Sequence, residues 1–573
     1  MLRANVGPAA TVNPSSTALA PSAAVSRPAA GAVLAEWGWP IAFAFTLAFL
    51  IEIPHRLAAT QATDGIFFVG TLWSPHDVAQ YVSAMRQGAA SSGWLIYDRF
   101  SQEPHAAVLM YPLYVAFGKL AALTHTSVDG TYQLLTTLAR VFLCLAAYFF
   151  TGIVLKTLGA RRLALALITL ATGLASVIAL VRTVTGLPLP MTARELNDPE
   201  LGTFLTFFAA PHLTIGLGLL LVAARLYAES WESSLGSGCS LALVAAVTGL
   251  GLTNPFSLVP LCIVVGAHAL LITVQKERIQ WSGWQAVTTI AATAVPFLIA
   301  NYVSFQVDPF WGATYGRQNQ TLTPPPIDVL PALGLLIPLA VVGAWRLPRP
   351  LTSGPLLVLV WIGLAAILMY TPTGVQRRFG LGLHPMLALL AAPALMAFWQ
   401  FLGHLRPPAR LLRPFALVGL GQALFGSTVY LYVVAFSIAL APGEYLAGPG
   451  ADRAPYQQAS VRAVGDWLAR TGRPADLVLA STVTGNYLGG VYPGRVYVGH
   501  WVATLDYETK KKQAEWFFAA PVDDARRELL ARAGVTYVVV GPHERLLGAS
   551  EPTDPLLTPV FHTDGATVYR VQR

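Results

Sequence analysis

The chain carries repeated apolar runs of about twenty residues, and these runs restrict its fold more than any other feature. A helix of about twenty residues crosses the roughly 30 Å of hydrocarbon in a bilayer. Charged residues make up 12% of the chain, whereas soluble domains contain about a quarter. The sequence therefore predicts an α-helical polytopic membrane protein, integral to the cytoplasmic (plasma) membrane.

Twelve stretches are apolar enough to be candidate membrane spans. They lie near residues 38–55, 105–123, 133–156, 162–184, 204–228, 238–253, 256–274, 285–303, 327–346, 354–371, 379–402 and 414–440. If all twelve cross and the N-terminus is inside, four basic loops face outside, which contradicts the positive-inside rule. These loops contain Lys156 and Arg161, Lys276 and Arg278, Arg346 and Arg349, and Arg406 and Arg410. All four loops move inside if the stretch 105–123 does not cross.

The stretch 105–123 has features of an interfacial helix. Pro104 precedes it, Pro112 and Lys119 lie within it, and its aromatic residues suit the membrane surface. Eleven spans, with the N-terminus in the cytoplasm and the C-terminus outside, is therefore the predicted topology.

The predicted topology divides the chain into three parts. Residues 1–32 are expected to form a disordered cytoplasmic tail, because they are rich in Ala, Pro and Ser. Residues 33–441 would form the membrane domain, with an outer loop at 57–132 that contains interfacial helices. Residues 442–573 would form a small extracytoplasmic α/β domain.

The apolar residues of the C-terminal domain follow helical spacing in some segments and strand spacing in others. It predicts helices at 456–470 and 523–533, buried strands at 476–480 and 535–540, and a hairpin at 559–571 that turns at Asp564-Gly565. Lys510, Lys511 and Lys512 are expected on a solvated helix face. His500 and Asp506 have no companion residues that would indicate a site.

The first outer loop contains the residue most suited to catalysis. Asp77 follows Ser74-Pro75, which is typical of a helix start, and lies close to an apolar run. A carboxylate there could take a proton from an acceptor hydroxyl, and Tyr81 lies on the same helical face. The alternative is that Asp77 only interacts favourably with the helix dipole.

The order of motifs around Asp77 resembles the GT-C glycosyltransferase superfamily, which includes protein O-mannosyltransferases and lipid A aminoarabinose transferases. The matching features are Asp77 followed by Tyr81, then Gly93-Trp94, the Glu103-Pro104 step into an amphipathic helix, and Ala139-Arg140 in the next span. Members begin the first outer loop with an acidic residue and a Tyr, and continue with interfacial helices. The match covers the N-terminal third best, and it implies a GT-C-like fold.

The resemblance also implies an activity. The chain would transfer a hexosyl or pentosyl group from a polyprenyl-phosphate-linked donor, with inversion, and Asp77 would be the base in a substrate site that includes Tyr81. Many members carry two adjacent acidic residues, whereas His76 precedes Asp77 here. Candidates for a second acidic residue lie in the next outer loop, at Glu195, Asp198 and Glu200. No metal-ligand motif is recognised, although a divalent metal ion, used by some members, is a possible cofactor.

Other outer residues are candidates for substrate binding. Arg377 and Arg378 are adjacent at the outer end of a span, where guanidinium groups suit a phosphate, and contact with lipid headgroups is the alternative. In the superfamily, a basic residue in a late outer loop holds the lipid phosphate. His212 would bind a sugar or cap its helix. Arg99 and Glu103 would pair with each other or line the acceptor groove.

Three functions remain open from the sequence, and a membrane glycosyltransferase is favoured because the outer loop is charged while few charges lie within the spans. A transporter or flippase would place ionisable residues at mid-membrane, and a non-catalytic GT-C-like scaffold would only display the C-terminal domain. The expected partners are the lipid-linked donor, the bilayer, and an acceptor that is a glycan, a lipid or a protein. The net charge of +8 comes mostly from loops beside spans, so no nucleic acid is expected.

Overall fold

The computed structural model describes residues 30–63, 65–189, 193–406, 409–445, 454–551 and 554–572. Residues 1–29 of the expected disordered tail lie outside the described residues, and residues 30–32 are helical. Residues Pro40–Arg573 form one compact unit, so the predicted C-terminal domain packs against the membrane domain and is not a separate body.

Helices make up most of the N-terminal three quarters of the chain. In chain order, α1 to α17 are Ala30–Thr60, Pro75–Ala90, Pro112–Thr124, Val128–Thr151, Leu158–Leu170, Ala175–Thr185, Thr203–Thr206, Pro211–Glu229, Ser237–Thr253, Leu258–Lys276, Trp281–Ser304, Pro309–Trp311, Pro326–Leu333, Leu336–Trp345, Ser353–Leu368, Leu383–His404 and Arg413–Leu440. A π-helical segment, Gly312–Gln318, follows α12.

Seven of the described helices are long and apolar enough to cross a membrane, and the number is nine when two bent pairs count as one span each. The bent pairs are α5 with α6, at 64°, and α13 with α14, at 71°. All nine coincide with predicted spans, which confirms the polytopic helical fold. The other two predicted spans are α9 and α15, with 17 and 16 residues. Eleven spans therefore stays a prediction that requires these shorter helices to cross.

The stretch 105–123 forms the 13-residue helix α3, which is too short to span the bilayer. It packs closely against α2. A Cβ atom on Gly118 would lie 1.9 Å from the carbonyl oxygen of Met85, and one on Gly88 would lie 2.4 Å from that of Val115. Glycine at both positions thus lets the two outer helices touch through their backbones.

The C-terminal part is an α/β domain, as predicted. Its helices α18 to α22 are Ala459–Thr471, Thr482–Val491, Tyr507–Ala519, Asp524–Ala533 and Pro542–Leu546. Strand β1 is Ile66–Phe68 in the outer loop, and β2 to β7 are Tyr456–Gln458, Leu477–Leu479, Arg495–Val496, Tyr537–Val540, Leu557–Thr563 and Ala566–Val571. The main sheet has the order β4-β3-β5-β7-β6, in which β3 is parallel to β4 and β5, and β7 is antiparallel to its neighbours.

Two details of the C-terminal domain differ from the sequence prediction. The predicted hairpin is present, with its turn at Gly565 in the left-handed region, φ 96°. The predicted helix at 456–470 begins instead with β2, which pairs antiparallel with β1 of the outer loop. A local apolar pattern could not show this pairing, because the partner strand lies almost four hundred residues earlier.

The outer loop and the C-terminal domain are joined at further places. Ser101 forms an isolated bridge with Val498, and helix α19 packs on α2. A Cβ atom on Gly490 would lie 3.1 Å from the carbonyl oxygen of Ala79 in α2. The domain therefore sits directly on the helix that carries Asp77.

Candidate active site

The first turn of α2 presents Asp77 from a strained backbone. Ser74, the residue before the helix, has φ 45° and ψ 51°, a left-handed conformation that non-glycine residues rarely adopt. Pro75 then starts the helix, and Asp77 lies in its first turn with 34% of its side chain exposed. Tyr111, which begins α3, is also left-handed, with φ 54°. Strain of this kind is typical of functional sites.

Asp77 is held by a residue of the C-terminal domain. Its Oδ1 lies 3.0 Å from Nε2 of His500, which is 1% exposed, and 3.6 Å from Nε2 of His76. Burial raises the pKa of Asp77, but the hydrogen bond from His500 and the charge of His76 outweigh it and hold the pKa below its usual value. Asp77 is therefore ionised at neutral pH and can accept a proton. The prediction that His500 has no companion residues is wrong.

Behind His500 lies a buried polar network. The Gln80 amide nitrogen is 2.9 Å from both ring nitrogens of His500, and its oxygen accepts from the Tyr315 hydroxyl at 2.7 Å. The same hydroxyl is 3.1 Å from Oδ2 of Asp98. Burial raises the pKa of Asp98 to about 7, although hydrogen bonds from Phe100 and Tyr315 oppose the shift. No sequence pattern indicated Gln80, Asp98 or Tyr315.

Aromatic side chains form one wall of the site. The ring of Tyr81 stacks on Tyr114 with 4.4 Å between centroids and meets His212 edge-on at 5.3 Å. The Tyr114 hydroxyl is 2.9 Å from Nδ1 of His212. His212, one of the residues predicted to bind substrate, thus opens α8 as part of this wall.

The acidic outer loop meets the two arginines. Arg377 pairs with Asp198 at 2.7 Å and with Glu200 at 3.2 Å. Arg378 instead lies over the ring of Phe256, with 4.6 Å to its centroid, and no described carboxylate lies within 4.0 Å of it. The two adjacent cations, which the sequence could not distinguish, therefore have different surroundings.

One cavity of about 380 Å³ joins these groups. Six of the predicted site residues line it: Asp77, Tyr81, Glu200, His212, Arg377 and Arg378. His500, Gln80 and Tyr315 line it as well. Leu252, next to the last residue of α9, and Phe297, in the second half of α11, add an apolar wall.

Two further predicted residues, Arg99 and Glu103, do not line this cavity, and they do not pair with each other. Nη1 of Arg99 donates to the carbonyl oxygen of Tyr492 at 2.9 Å, and Glu103 pairs with Lys510. Burial disfavours the charged carboxylate of Glu103, but hydrogen bonds from Lys510 and Ser101 hold its pKa below the usual value. Lys510 is 5% exposed, so its predicted place on a solvated helix face is wrong. These contacts fasten the outer loop to the C-terminal domain.

Glu195 also lies away from the cavity. Its Oε1 accepts from the backbone N–H of Ala175 at 2.7 Å and from the Ser427 hydroxyl at 3.1 Å. Glu195 thereby ties its own loop, between α6 and α7, to α6 and α17. Asp198 does not line the cavity either, but it pairs with Arg377, which does.

A metal ion is a further possibility for the site. His76, Asp77 and His500 offer ligand atoms that lie within 4.8 Å of one another, a donor set that suits transition metals. His500 does not fit this role as it stands. Its Nδ1 accepts the N–H of Val502 at 3.1 Å, so the neutral ring carries its proton on Nε2, which then has no lone pair for a metal. Two remaining ligands are fewer than zinc sites in proteins usually have, and the divalent metal stays a prediction.

Comparisons with known proteins bear on the fold. No family model matches the chain, and no curated protein matches its sequence. Among solved structures, an oligosaccharyltransferase from Archaeoglobus fulgidus, tethered with an acceptor peptide containing the NVT sequon, aligns with a TM-score of 0.53 and 13% identity over 89% of this chain and 70% of its own. The archaeal oligosaccharyltransferase AglB from the same organism, in complex with an inhibitory peptide and a dolichol-phosphate, aligns with a TM-score of 0.51 and 12% identity over 88% and 69% of the two chains. The chain therefore has the same fold as these two oligosaccharyltransferases.

Proposed function

We propose that the chain is a membrane glycosyltransferase that moves a sugar from a polyprenyl-phosphate-linked donor to an acceptor at the outer face of the membrane. The observation that carries this proposal is a single cavity that joins an ionised carboxylate, two arginines and an apolar wall at the ends of membrane helices. The dolichol-phosphate in complex with the similar AglB supports a lipid phosphate as part of the donor.

The donor would bind with its lipid chain against the apolar wall and its phosphate at Arg378. Leu252 comes from the end of α9 and Phe297 from the second half of α11, and a polyprenyl chain could enter between these helices from the bilayer. Arg377 is already neutralised by Asp198 and Glu200, whereas Arg378 has no carboxylate partner among the described residues. Arg378 is therefore the cation with unused charge for a phosphate.

The reaction would begin at Asp77. Its carboxylate takes the proton of an acceptor hydroxyl, and the hydroxyl oxygen forms a bond to the anomeric carbon of the sugar. The bond between that carbon and the phosphate oxygen breaks, and the electron pair leaves with the polyprenyl phosphate. Arg378 stabilises the charge that develops on the phosphate. Attack opposite the leaving group inverts the anomeric centre.

Replacing the base tests this function. In proteoliposomes with a panel of polyprenyl-phosphate hexoses and pentoses, Asp77→Asn should lower the transfer rate by about 10²- to 10⁴-fold, because an amide cannot accept the proton. Asp524→Asn is the matched control, since its carboxylate is fully exposed and pairs only with Arg527. Equal rates for Asp77→Asn and wild type would exclude Asp77 as the base, and the absence of transfer by wild type with every donor would contradict the proposed function.

The acceptor would approach through a second cavity on the other side of α2. This cavity, of about 630 Å³, is lined by His76 and Arg86 of α2 and by the C-terminal domain. Phe67 and Tyr487, whose ring centroids are 5.3 Å apart, contribute aromatic surface, and Asn486 contributes an amide. Aromatic and amide groups suit a sugar, so we propose a glycan acceptor.

Sealed vesicles test both the acceptor class and the side of the membrane. Right-side-out vesicles that contain the donor should glycosylate an impermeant oligosaccharide added only outside. A peptide and a lipid acceptor, added in parallel, should react at least about tenfold more slowly, since they lack the hydroxyl-rich surface that the cavity fits. Transfer that requires an acceptor inside the vesicle would overturn the outer-face assignment, and faster transfer to the peptide would overturn the glycan.

A further inference from the structure

Two parts of the chain, 423 residues apart in sequence, meet at Asp77. We propose that His500 of the C-terminal domain is a positioning residue that holds the Asp77 carboxylate in its reactive orientation. This inference rests on the proposed function, because it takes Asp77 as the base. It adds that the C-terminal domain must be docked on α2 for the reaction to occur.

The proton on His500 is directed at Asp77. Because the Val502 N–H occupies Nδ1, the neutral imidazole carries its hydrogen on Nε2, and that hydrogen points to Oδ1 of Asp77. One carboxylate oxygen is thus engaged, and the other is left to receive the proton of the acceptor. A catalytic base oriented by a third group in this way is a recurring arrangement in enzymes.

A second row of hydrogen bonds keeps His500 in place. The Gln80 oxygen accepts from the hydroxyls of Tyr315, at 2.7 Å, and Tyr111, at 3.2 Å, so its nitrogen faces the His500 ring and lies 2.9 Å from both ring nitrogens. The Tyr315 hydroxyl also lies 3.1 Å from Oδ2 of Asp98, to which its single proton can be donated instead of to Gln80. These buried hydrogen-bonding neighbours restrict the orientation of the His500 ring.

The segment that carries His500 is anchored to the outer loop by its own contacts. The Thr504 hydroxyl donates to the carbonyl oxygen of Phe100 at 2.6 Å, and the N–H of Leu505 donates to the Ser101 hydroxyl at 3.0 Å. The N–H of Val496 donates to the carbonyl oxygen of Arg99 at 2.9 Å. His500 therefore reaches Asp77 only when the domain is docked.

Kinetics separate positioning from binding. His500→Phe keeps a ring but removes the hydrogen bond, so kcat should fall by about 10- to 100-fold while the donor KM changes less than about threefold. His500→Gln retains a hydrogen-bond donor. Its log kcat should therefore lie at least about a third of the way back from the His500→Phe value to the wild-type value. His562→Gln is the control, because His562 lies on β6 and contacts Thr567 instead. Unchanged kcat in His500→Phe, or a loss confined to KM, would overturn the proposal.

A measurement that needs no turnover keeps the two proposals apart. Solid-state NMR of the full chain, labelled with ¹⁵N-histidine and reconstituted in lipid, reports which ring nitrogen carries the proton. The signal that His500→Gln removes should be that of a ring protonated on Nε2, and Gln80→Leu should shift it. A ring protonated on Nδ1 would overturn the positioning role even if wild type transfers sugar. If His500 is protonated on Nε2 as expected but wild type transfers no sugar, only the proposed function is contradicted.

Discussion

The cavity contains two groups of polar side chains that are assembled in different ways. The basic group, Arg377 and Arg378 with Asp198 and Glu200, comes entirely from loops between helices of the membrane domain. The acidic group, Asp77 with His500 and Gln80, combines the first outer loop with the C-terminal domain. In the basic group the charges are partly neutralised by neighbours, and one guanidinium is left for a ligand. In the acidic group the carboxylate of Asp77 is held in place by the hydrogen bond to His500.

This difference suggests separate tasks for the two groups. A phosphate needs positive charge, which the basic group can supply without precise orientation of every donor. A base needs one carboxylate oxygen in a defined place, which demands a rigid and fully paired surrounding. The stability of the acidic group should thus depend on the protonation state of the buried residues around it. The function of the basic group should depend on its positive charges.

The largest expected effect concerns Asp98, the innermost member behind the acidic group. Burial raises its pKa to about 7, so between about pH 4 and pH 7 the folded chain keeps a proton that the unfolded chain releases. The free energy of unfolding must therefore fall as the pH rises through this window. Asp98→Asn removes the titration and should stabilise the chain by about 2–4 kcal/mol at pH 8, with little change at pH 4.

Thermal unfolding of the full chain in nanodiscs at pH 4, 6 and 8 measures this effect. The Asn side chain can still form a hydrogen bond with the Tyr315 hydroxyl, so Asp98→Asn should also retain sugar transfer. Asp98→Leu is the informative companion, because it removes the hydrogen bond to Tyr315 together with the charge. A gain in stability for Asp98→Asn that is equal at all three pH values would show that Asp98 does not titrate in this window and would weaken the contrast between the two groups.

The sequence predicted the two groups unequally, and the reason is physical. Arg377, Arg378, Asp198 and Glu200 were predicted because charges at the ends of spans stand out against apolar runs. Asp77 was predicted from its place at a helix start together with the order of motifs around it. His500 could not be predicted, because its partner lies across a domain interface, and no local periodicity encodes such a contact. The same limit explains why β2 was predicted as helix.

The second prediction separates Arg378 from Arg377. Arg378→Gln removes the cation without a carboxylate partner, so the donor KM should rise by about 10- to 100-fold, the value of one charge-assisted hydrogen bond, with a smaller change in thermal stability. Arg377→Gln leaves Glu200, which is 7% exposed, without its ion-pair partner, and leaves Asp198, which is 3% exposed, with Arg194 at 3.7 Å. Its main effect should be a lower melting temperature, because two buried carboxylates lose a nearby positive charge.

The Arg377 variant has an internal control in its own partners. Burial raises the pKa of Asp198, and the charge of Arg377 counteracts this, so Asp198→Asn in the Arg377→Gln background should restore part of the lost stability. Donor titrations and melting curves on Arg378→Gln, Arg377→Gln and the double variant then compare donor binding with stability at each position. If Arg377→Gln raised the donor KM more than Arg378→Gln, with both chains equally stable, the phosphate would bind at Arg377. The basic group would then resemble the acidic one, since its ligand-binding residue would also be the one held in place by neighbouring side chains.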